Sequence, residues 1–444
     1  MDTLHLKAPG SWLNDPNGFI YYKGKYHLFY QHFPFATQWG TMHWGHAISN
    51  DLVHWEHLGV AIFPTKHFDK DGIFSGSALE VNGDLYLYYT GVRYYASEAE
   101  NCHVSLNDVY ECNQVFITSK DGIHFDNYND KHLFLPVIYD NDIAYYNHTR
   151  DPKLWKDGDT YYMVLGSSYK MEIGRVIVLK SKDAIHWDIQ TVLEDKKFGR
   201  ILECPDLFKL GDQNILLISP MYIVPESEGY TAQSMIGTID FDPETSKISN
   251  LGDFEYIDHG RDIYATQSCI DEDGKRVMVV WARMPIAADN PWDEKPWNGM
   301  MCSPRVIEYR DERFYFSIHP NVKRFFSREL TQEEIADHHV NTQKPCLIET
   351  TIKNGERLNI GGFKIHMKRN TIHTDRRAVF PKNTNLRNTF ELPSYAKEYK
   401  LSIIVAPNII EIFVDDGKYT LTNTVYHLKK NFSGRFDHIF VPEE

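Results

Sequence analysis

The sequence predicts an all-β fold, a five-bladed β-propeller followed by a C-terminal β-sandwich. Two observations predict it: a strand–turn–strand pattern recurs five times along the N-terminal part of the chain, and helical periodicity is almost absent. The length of 444 residues allows two domains with sizeable cores. Aromatic residues form 14% of the chain, a content that suits strand-rich cores and also sugar-binding surfaces.

The five repeats set the expected number of blades. Each has a strand, a tight turn at a glycine and a second strand, and the turn glycines are Gly24, Gly83, Gly158, Gly211 and Gly274. Consecutive glycines are roughly 50 to 75 residues apart, about the length of a four-stranded sheet with its loops. We therefore expect the propeller in residues 1–310, a linker with a short helix in 311–340 and the sandwich in 341–444.

Two further patterns support this layout. The motif S-x-D-x-x-H-aromatic-acid recurs three times, at 49–56, 119–126 and 181–188. We expect these copies on outer strands, as part of the blade architecture. The segment SRELTQEEIADHHV, Ser327–Val340, has a Ser/Thr cap and acidic residues in its first turn, which predicts the linker helix. Its two histidines, His338 and His339, are expected to be solvated.

Three carboxylates occupy the same position in the repeat. Asp15, Asp151 and Glu203 lie seven to nine residues before their turn glycines, and a proline follows each of them closely. Because the first strand of every blade lines the propeller axis, residues at one depth in these strands converge. We therefore expect the three carboxylates to meet at one end of the central funnel. The dipeptide Asp242-Pro243 does not lie at this position in a repeat, and we interpret it as an ordinary turn.

A group of carboxylates in a funnel can cleave a glycosidic bond. One carboxylic acid protonates the leaving oxygen, while a second carboxylate attacks the anomeric carbon or activates water. A third can bind substrate hydroxyls and stabilise the charge of the transition state. Asp15 alone is more typical of a turn or a cap, but its agreement in position with Asp151 and Glu203 favours catalysis.

Charge and composition disfavour several classes of partner. The 47 basic and 61 acidic residues give a net charge of −14, which disfavours nucleic acid. The N-terminus lacks the features of an export signal and no apolar run is long enough for a membrane span, so we expect a cytoplasmic protein without a membrane partner. The six cysteines are far apart and are expected to be reduced thiols. The sequence does not indicate an oligomeric state.

Aromatic and histidine side chains near the predicted funnel have alternative interpretations. Trp39 follows a turn, which favours stacking of its ring on a sugar. Trp44 is equally consistent with a core position and a sugar contact. For Trp281 core packing is slightly favoured, and it is kept as a candidate substrate contact. His43 and His46 are expected to be structural, because a third metal ligand at a suitable spacing is not evident.

The motifs around these residues resemble those of glycoside hydrolase family 32, the β-fructofuranosidases that include invertases and sucrose-6-phosphate hydrolases. WLNDPNG, FYQHFP, IFSGSA, RDP, ECPD and GRDIYATQ occur in the family's order, and the match covers nearly all of the chain. The resemblance implies a retaining mechanism without metal or cofactor, with Asp15 as nucleophile, Glu203 as acid/base and Asp151 as a transition-state-stabilising group. It also implies substrate contacts from Asn14, Gln31, Trp39, Phe74, Ser75, Arg150, Asp262 and Tyr264.

This resemblance implies hydrolysis of a terminal β-D-fructofuranoside, a small carbohydrate such as sucrose or sucrose 6-phosphate. A phosphate on the leaving sugar needs a nearby cation, for which Arg261 and His259 are candidates. A fructosyltransferase or a fructan exo-hydrolase has the same covalent intermediate and stays an alternative. A sugar-binding propeller without catalysis is disfavoured because all three carboxylates are present, and an arabinan-type glycosidase is disfavoured by the WLNDPNG and ECPD contexts.

Overall fold

β-Strands make up most of the chain, which confirms the predicted all-β fold. The computed structural model describes residues 2–288, 295–336 and 344–443. Within these ranges no helix is long and apolar enough to cross a membrane. The helical segments are short: α-helices Pro320–Phe325 and Gln332–Ala336, and 3₁₀ turns Leu106–Asp108, Lys196–Phe198 and Glu226–Glu228.

Five mainly antiparallel sheets follow one another along the described chain. Sheet 1 contains Asp2–Thr3, Ser11–Tyr22, Lys25–Phe33, His43–Ser49, His54–Ile62 and Trp297–Asn298. Sheet 2 contains Gly72–Val81, Asp84–Tyr94, Tyr110–Ser119 and His132–Leu135, and sheet 3 contains Arg150–Asp157, Thr160–Tyr169, Ile173–Ser181 and Asp188–Glu194. Sheet 4 contains Ile201–Leu210, Gln213–Met221, Met235–Asp242, Lys247–Ser249 and Glu255–Tyr256. Sheet 5 contains Ile263–Ile270, Arg276–Ala282, Met300–Met301, Arg305–Arg310 and Arg313–Ile318.

The long first strands of the five sheets contact one another in a closed order. Ser11–Tyr22 contacts Gly72–Val81, which contacts Arg150–Asp157. Arg150–Asp157 contacts Ile201–Leu210, which contacts Ile263–Ile270, and Ile263–Ile270 contacts Ser11–Tyr22 again. A ring of innermost strands is what the predicted propeller requires. The count of five blades itself stays a prediction.

A β-bulge interrupts the first hairpin of each of these sheets, close to the start of the first strand. The register shifts between Leu13 and Pro16, Phe74 and Gly76, Arg150 and Lys153, Glu203 and Asp206, and Tyr264 and Thr266. A bulge leaves a residue unpaired, bends the strand and re-aims a side chain. The repeat therefore places five equivalent irregular segments at one end of the ring.

These bulges explain why prolines accompany the carboxylates. Pro152 and Pro205 fall inside the bulges of their strands, where the missing N–H removes no ladder hydrogen bond. Asp151 and Cys204, which precede them, have φ angles of 65° and 46°. That backbone conformation is uncommon for residues with a side chain and marks a site where the surrounding structure enforces it.

The recurring S-x-D-x-x-H motif forms a turn after the third long strand of sheets 1 to 3. In sheet 1, Asp51 Oδ1 accepts hydrogen bonds from the backbone N–H groups of Val53 and His54 at 2.9 and 2.8 Å, and Asp51 Oδ2 lies 2.7 Å from His54 Nδ1. Asp121 and Asp183 make the same contacts in sheets 2 and 3. The motif is therefore part of the blade architecture.

Two further sheets form the C-terminal part of the described chain. Sheet 6 contains Arg328–Glu329, Cys346–Lys353, Glu398–Ala406, Ile409–Val414, Tyr419–Thr424 and His438–Val441. Sheet 7 contains Arg357–Ile360, Phe363–Lys368, Thr371–Asp375, Thr389–Glu391 and Phe432–Ser433. The inward side chains of both sheets share one apolar core, the layering of a β-sandwich.

The predicted linker helix is present at Gln332–Ala336. Thr331 and Glu334 form a capping box, in which Thr331 Oγ1 accepts from the N–H of Glu334 at 3.2 Å and Glu334 Oε2 accepts from the N–H of Thr331 at 2.8 Å. The start of the predicted segment is not helical, since Arg328–Glu329 is a strand of sheet 6. Residues 337–340, including His338 and His339, lie outside the described residues. The domain limits at residues 310 and 340 stay predictions.

Candidate active site

The three carboxylates identified in the sequence lie together in the bulged segments of the first strands. Asp15 and Asp151 both flank the thiol of Cys204, whose Sγ is 3.8 Å from Asp15 Oδ2 and 3.6 Å from Asp151 Oδ2. Glu203 is the residue immediately before this cysteine. The repeat position that was read from the sequence therefore does bring the acidic groups to one place.

Asp15 is held by two side-chain donors. Ser75 Oγ donates to Asp15 Oδ2 at 2.5 Å, and Asn14 Nδ2 donates to Asp15 Oδ1 at 3.0 Å. Gln31 Nε2 donates to Ser75 Oγ at 2.6 Å, so the hydroxyl proton of Ser75 is directed to the carboxylate. Desolvation by the surrounding protein raises the pKa of Asp15 to about 6, and the donors oppose that rise.

Asp151 is held by backbone groups. Its Oδ2 accepts the N–H of Cys204 at 2.8 Å, and its own N–H donates to Thr90 Oγ1 at 3.1 Å. Burial raises the pKa of Asp151; the nearby Arg150 cation opposes this and the Glu203 carboxylate adds to it. The hydrogen bond from Cys204 N orients the carboxylate, and the hydrogen bond to Thr90 holds the backbone of Asp151.

Glu203 is placed between a cation and a phenol. Arg150 Nη2 and Nε donate to Glu203 Oε1 at 2.6 and 3.1 Å. Tyr264 Oη lies 2.5 Å from Glu203 Oε2 and 2.8 Å from the carbonyl oxygen of Ser219. Burial raises the pKa of Tyr264 well above its ordinary value, so its hydroxyl stays protonated and able to donate.

Aromatic rings form one wall beside the carboxylates. Trp39 contacts Phe74 edge to face, with ring centroids 5.9 Å apart. Phe74 contacts Tyr110 in turn at 6.2 Å. Trp39 and Phe74 are partly exposed, whereas Trp44 is fully buried and donates to the Phe74 carbonyl at 3.1 Å. Trp39 and Phe74 can therefore contact a sugar, and Trp44 is a core residue.

Asp262 is not brought into the carboxylate group. Its Oδ2 is bound by the Arg376 guanidinium and accepts hydrogen bonds from Thr424 N at 2.7 Å and Thr424 Oγ1 at 2.9 Å. Asp262 is 1% exposed, and its carboxylate is bound by the sheet 6 strand Tyr419–Thr424 and by Arg376, which follows the sheet 7 strand Thr371–Asp375. Asp262 is connected to the site along the backbone, because Tyr264 follows it by two residues.

Trp281 packs at the edge of the site. Its ring contacts the cluster of Cys204, Tyr264 and Ala265, and lies edge to face with Trp12 at 5.9 Å. Its buried Nε1 has no hydrogen-bond partner among the described residues. Trp281 is partly exposed, so both the core packing that the sequence slightly favoured and the substrate contact stay predictions.

Several contributing residues were not singled out in the sequence. Cys204 lies inside the quoted ECPD motif, and Trp12, which donates to Asn14 Oδ1 at 2.7 Å, lies inside WLNDPNG. His148 Nδ1 lies 2.8 Å from Arg150 Nη1, and Tyr110 Oη lies 3.4 Å from the same atom. His148 is two residues before RDP, but Tyr110 belongs to another sheet and carries no motif that would have identified it.

The arrangement brings three carboxylates close together, each held by hydrogen bonds. Glu203 has donors on both oxygens, Asp15 has donors on both oxygens, and Asp151 is fixed by the backbone. Charged groups held in this way need little reorganisation during reaction. Such a set is suited to glycosidic bond cleavage.

Comparison with known proteins agrees with this chemistry. Residues 5–320 match the family model "Glycosyl hydrolases family 32 N-terminal domain", and residues 349–436 match "Glycosyl hydrolases family 32 C terminal". The sucrose-6-phosphate hydrolase of Escherichia coli is 30% identical over 438 residues, which cover 95% of this chain and 88% of that protein. The raffinose invertase of Escherichia coli is 30% identical over 447 residues, covering 95% of this chain and 89% of that protein.

Solved structures have the same fold. The sucrose-6-phosphate hydrolase from Lactobacillus gasseri superposes with a TM-score of 0.83 at 24% identity, over 100% of this chain and 93% of that one. The Bombyx mori β-fructofuranosidase BmSUC1 gives 0.79 at 26% identity, over 99% and 93%. A mutant of that enzyme in complex with sucrose gives 0.78 at 26% identity, over 99% and 92%. The resemblance seen in the motifs is confirmed: the chain is a glycosidase and belongs to glycosyl hydrolase family 32.

Proposed function

We propose that this protein is a retaining β-fructofuranosidase that cleaves sucrose or sucrose 6-phosphate, with Asp15 as nucleophile, Glu203 as acid/base and Asp151 as the transition-state-stabilising group. One observation carries the assignment of roles: Asp15 and Asp151 face the same thiol while Glu203 is the adjacent residue. Family relatives that hydrolyse sucrose derivatives support the substrate class.

The first step forms a covalent intermediate. Asp15 Oδ attacks the anomeric carbon of the fructosyl unit as the bond to the leaving oxygen breaks, and Glu203 gives its proton to that oxygen. Asp15 must be ionised for this step, and the donors Ser75 and Asn14 favour that form. Asp151, which also lies against Cys204, stabilises the positive charge that develops on the ring.

The second step releases fructose. Glu203, now ionised between Arg150 and Tyr264, takes a proton from water as the water oxygen attacks the anomeric carbon, and Asp15 leaves as a carboxylate. Two displacements at one carbon keep the β configuration. The aromatic wall of Trp39 and Phe74 covers the apolar edge of the sugar.

We further propose a small carbohydrate as the sole substrate class and the cytoplasm as the working compartment. The acidic net charge of −14 offers no cationic face for nucleic acid. The widely spaced cysteines motivate the cytoplasmic assignment.

Substitution of the two reacting carboxylates tests the proposal. Asp15→Asn and Glu203→Gln should each lower kcat on sucrose or sucrose 6-phosphate by at least about 1,000-fold, because each removes a reacting group. Asp242→Asn is the matched control: Asp242 also precedes a proline, but its carboxylate caps an exposed turn, accepting from Glu244 N at 2.9 Å and Thr245 Oγ1 at 2.6 Å.

Product stereochemistry tests the mechanism. With methanol as an added acceptor, a retaining enzyme should form methyl β-fructofuranoside, which NMR distinguishes from the α anomer. Turnover by Asp15→Asn at the wild-type rate, or formation of the α anomer, would remove the proposed mechanism.

A further inference from the structure

A cleft rich in cations lies between sheet 4 and the segment 387–393. It has a volume of about 230 Å³ and is lined mainly by Tyr256, His259, Arg261, Arg387, Phe390 and Glu391. We call it the arginine cleft. Both residues that the sequence suggested for phosphate recognition, Arg261 and His259, lie in it, and the structure adds Arg387 from a part of the chain more than one hundred residues away.

Two guanidinium groups in this cleft share a single carboxylate oxygen. Arg261 Nη1 is 2.7 Å and Arg387 Nη1 is 3.2 Å from Glu228 Oε2. Within the described chain, Nη2 of both arginines has no hydrogen-bond partner, and both side chains are partly exposed. The pair thus keeps unused donors and one more positive charge than Glu228 neutralises.

Glu391 is a second carboxylate of the cleft, so that with Glu228 it balances the formal charge of the two arginines. Glu391 lies 3.7 Å from His373 Nδ1 and is half-exposed, which screens its charge. Burial lowers the pKa of His259 to about 4, so its ring is neutral and acts through hydrogen bonds. A tetrahedral anion with several acceptor oxygens fits two forked donors and a neutral imidazole.

The arginine cleft is connected to the acid/base by a short, fixed stretch of backbone. Arg261 is three residues before Tyr264, which spans at most about 10 Å of chain. Arg283 holds this stretch: its Nη2 donates to the carbonyls of Arg261 at 2.7 Å and Ile263 at 3.1 Å. Tyr264 Oη then lies 2.5 Å from Glu203 Oε2.

The loop that carries Glu228 starts from the neighbouring strand of the acid/base. Glu203 is paired with Ser219, and Glu228 follows the end of that strand at Met221. Arg261 and Glu228, the two partners of one ion pair, are therefore both attached to elements that surround Glu203. Because Glu203 protonates the leaving oxygen, the leaving sugar must lie on its side of the site.

We propose that Arg261 and Arg387 bind the phosphate monoester of a phosphorylated leaving sugar, which makes sucrose 6-phosphate the preferred substrate over sucrose. The proposal rests on the proposed function, in which Glu203 faces the leaving group. The arginine cleft then determines the substrate preference, and the carboxylates cleave the bond.

Parallel kinetics with sucrose 6-phosphate and sucrose test this preference. For Arg261→Gln and Arg387→Gln, kcat/KM for sucrose 6-phosphate should fall about 10- to 100-fold, since each loses a charge-assisted hydrogen bond, while kcat/KM for sucrose should change less than about threefold. Arg261→Lys should retain part of the preference because it keeps the charge. Arg377→Gln is the matched control, since Arg377 belongs to the same C-terminal part but is 69% exposed and paired with Asp375.

Inorganic phosphate provides an independent probe. It should inhibit the wild-type enzyme competitively against sucrose 6-phosphate, and Arg261→Gln should weaken that inhibition. An equal loss on both sugars, or no loss on either, would overturn the assignment of the arginine cleft. Failure of the proposed function gives a different result, namely normal turnover by Asp15→Asn or Glu203→Gln on both sugars.

Discussion

Tyr264 Oη lies 2.5 Å from Glu203 Oε2, on the carboxylate oxygen that Arg150 does not bind. The two donors approach from different sheets, so the carboxylate of Glu203 is held at both ends. A carboxylate that acts as acid and then as base must keep one orientation through both steps. Tyr264 is therefore one of the residues that hold Glu203 in the orientation needed for proton transfer.

Removal of this hydroxyl tests that role. Tyr264→Phe keeps the ring but leaves Glu203 Oε2 without its donor, so kcat/KM should fall about 10- to 100-fold. Tyr162→Phe is the control, because its hydroxyl also donates at 2.8 Å but to the backbone carbonyl of Pro243, away from the carboxylates. Steady-state rates on the preferred sugar measure both, and equal rates in the two variants would contradict a role for Tyr264.

The hydrogen bond from Ser75 to Asp15 predicts a change in pH dependence. Asp15 reacts as an ion, and its pKa is raised to about 6, so the acidic limb of the kcat/KM profile should rise with pH through that value. Ser75 stabilises the ionised form. In Ser75→Ala this support is lost, the pKa of Asp15 rises further, and the acidic limb should move up by about one pH unit.

A control on the same strand separates this effect from general damage. Ser77 is equally buried, but its hydroxyl donates to the carbonyl of Pro152 at 2.8 Å and not to a carboxylate. Ser77→Ala should leave the acidic limb in place. An unchanged limb in Ser75→Ala, or a shift to lower pH, would disprove the assignment of that limb to Asp15.

The sequence predicted the meeting of the carboxylates because they obey the repeat. Asp15, Asp151 and Glu203 sit at similar distances from turn glycines, and a structure built of equivalent sheets converts similar position in sequence into proximity in space. The motif context added Asn14 and Ser75, both of which bind Asp15. Local sequence patterns were sufficient to predict a contact wherever equivalent strands make that contact.

Contacts outside the repeat could not be predicted in that way. Asp262 was expected near the substrate from its motif, but it binds Arg376, which lies 114 residues further along the chain. No periodic feature connects the two positions. The bulges could not be recognised in the sequence either, because the Asp-Pro and Cys-Pro dipeptides resemble turns. Only the strand register shows that Pro152 and Pro205 interrupt the hydrogen-bond ladders of their strands.

The thiol of Cys204 should be unreactive although it lies in the site. Burial and the carboxylates of Asp151 and Asp15 raise its pKa well above the ordinary value, so it stays a neutral thiol and a poor nucleophile. Cys102 is the exposed cysteine of the described chain. Iodoacetamide at pH 8 should therefore label Cys102 and leave both Cys204 and activity intact.

Peptide mass spectrometry after labelling checks this expectation. Cys102→Ser should abolish the labelling of the folded protein, and urea should expose Cys204 to the reagent. Rapid modification of Cys204 under native conditions, accompanied by loss of turnover, would show that the thiol is ionised or accessible.

The buried ion pair between Arg376 and Asp262 makes the strongest prediction about stability. Both side chains are 1% exposed, and Asp262 also accepts two hydrogen bonds from Thr424. Arg376→Gln leaves a buried carboxylate without its cation and should lower the free energy of unfolding by about 3–5 kcal/mol. Arg377→Gln, at the next and exposed position, should change it by less than about 0.5 kcal/mol.

A double-mutant cycle isolates the ion pair from other effects of substitution. Asp262→Asn combined with Arg376→Gln removes both charges, so its loss of stability should be smaller than the sum of the two single losses. Urea unfolding of the four proteins measures the coupling, with the slope on denaturant checked for constancy. Additive losses would mean that Arg376 stabilises the fold through its contact with Phe380, over whose ring its guanidinium also lies at 3.5 Å, and not through its pairing with Asp262.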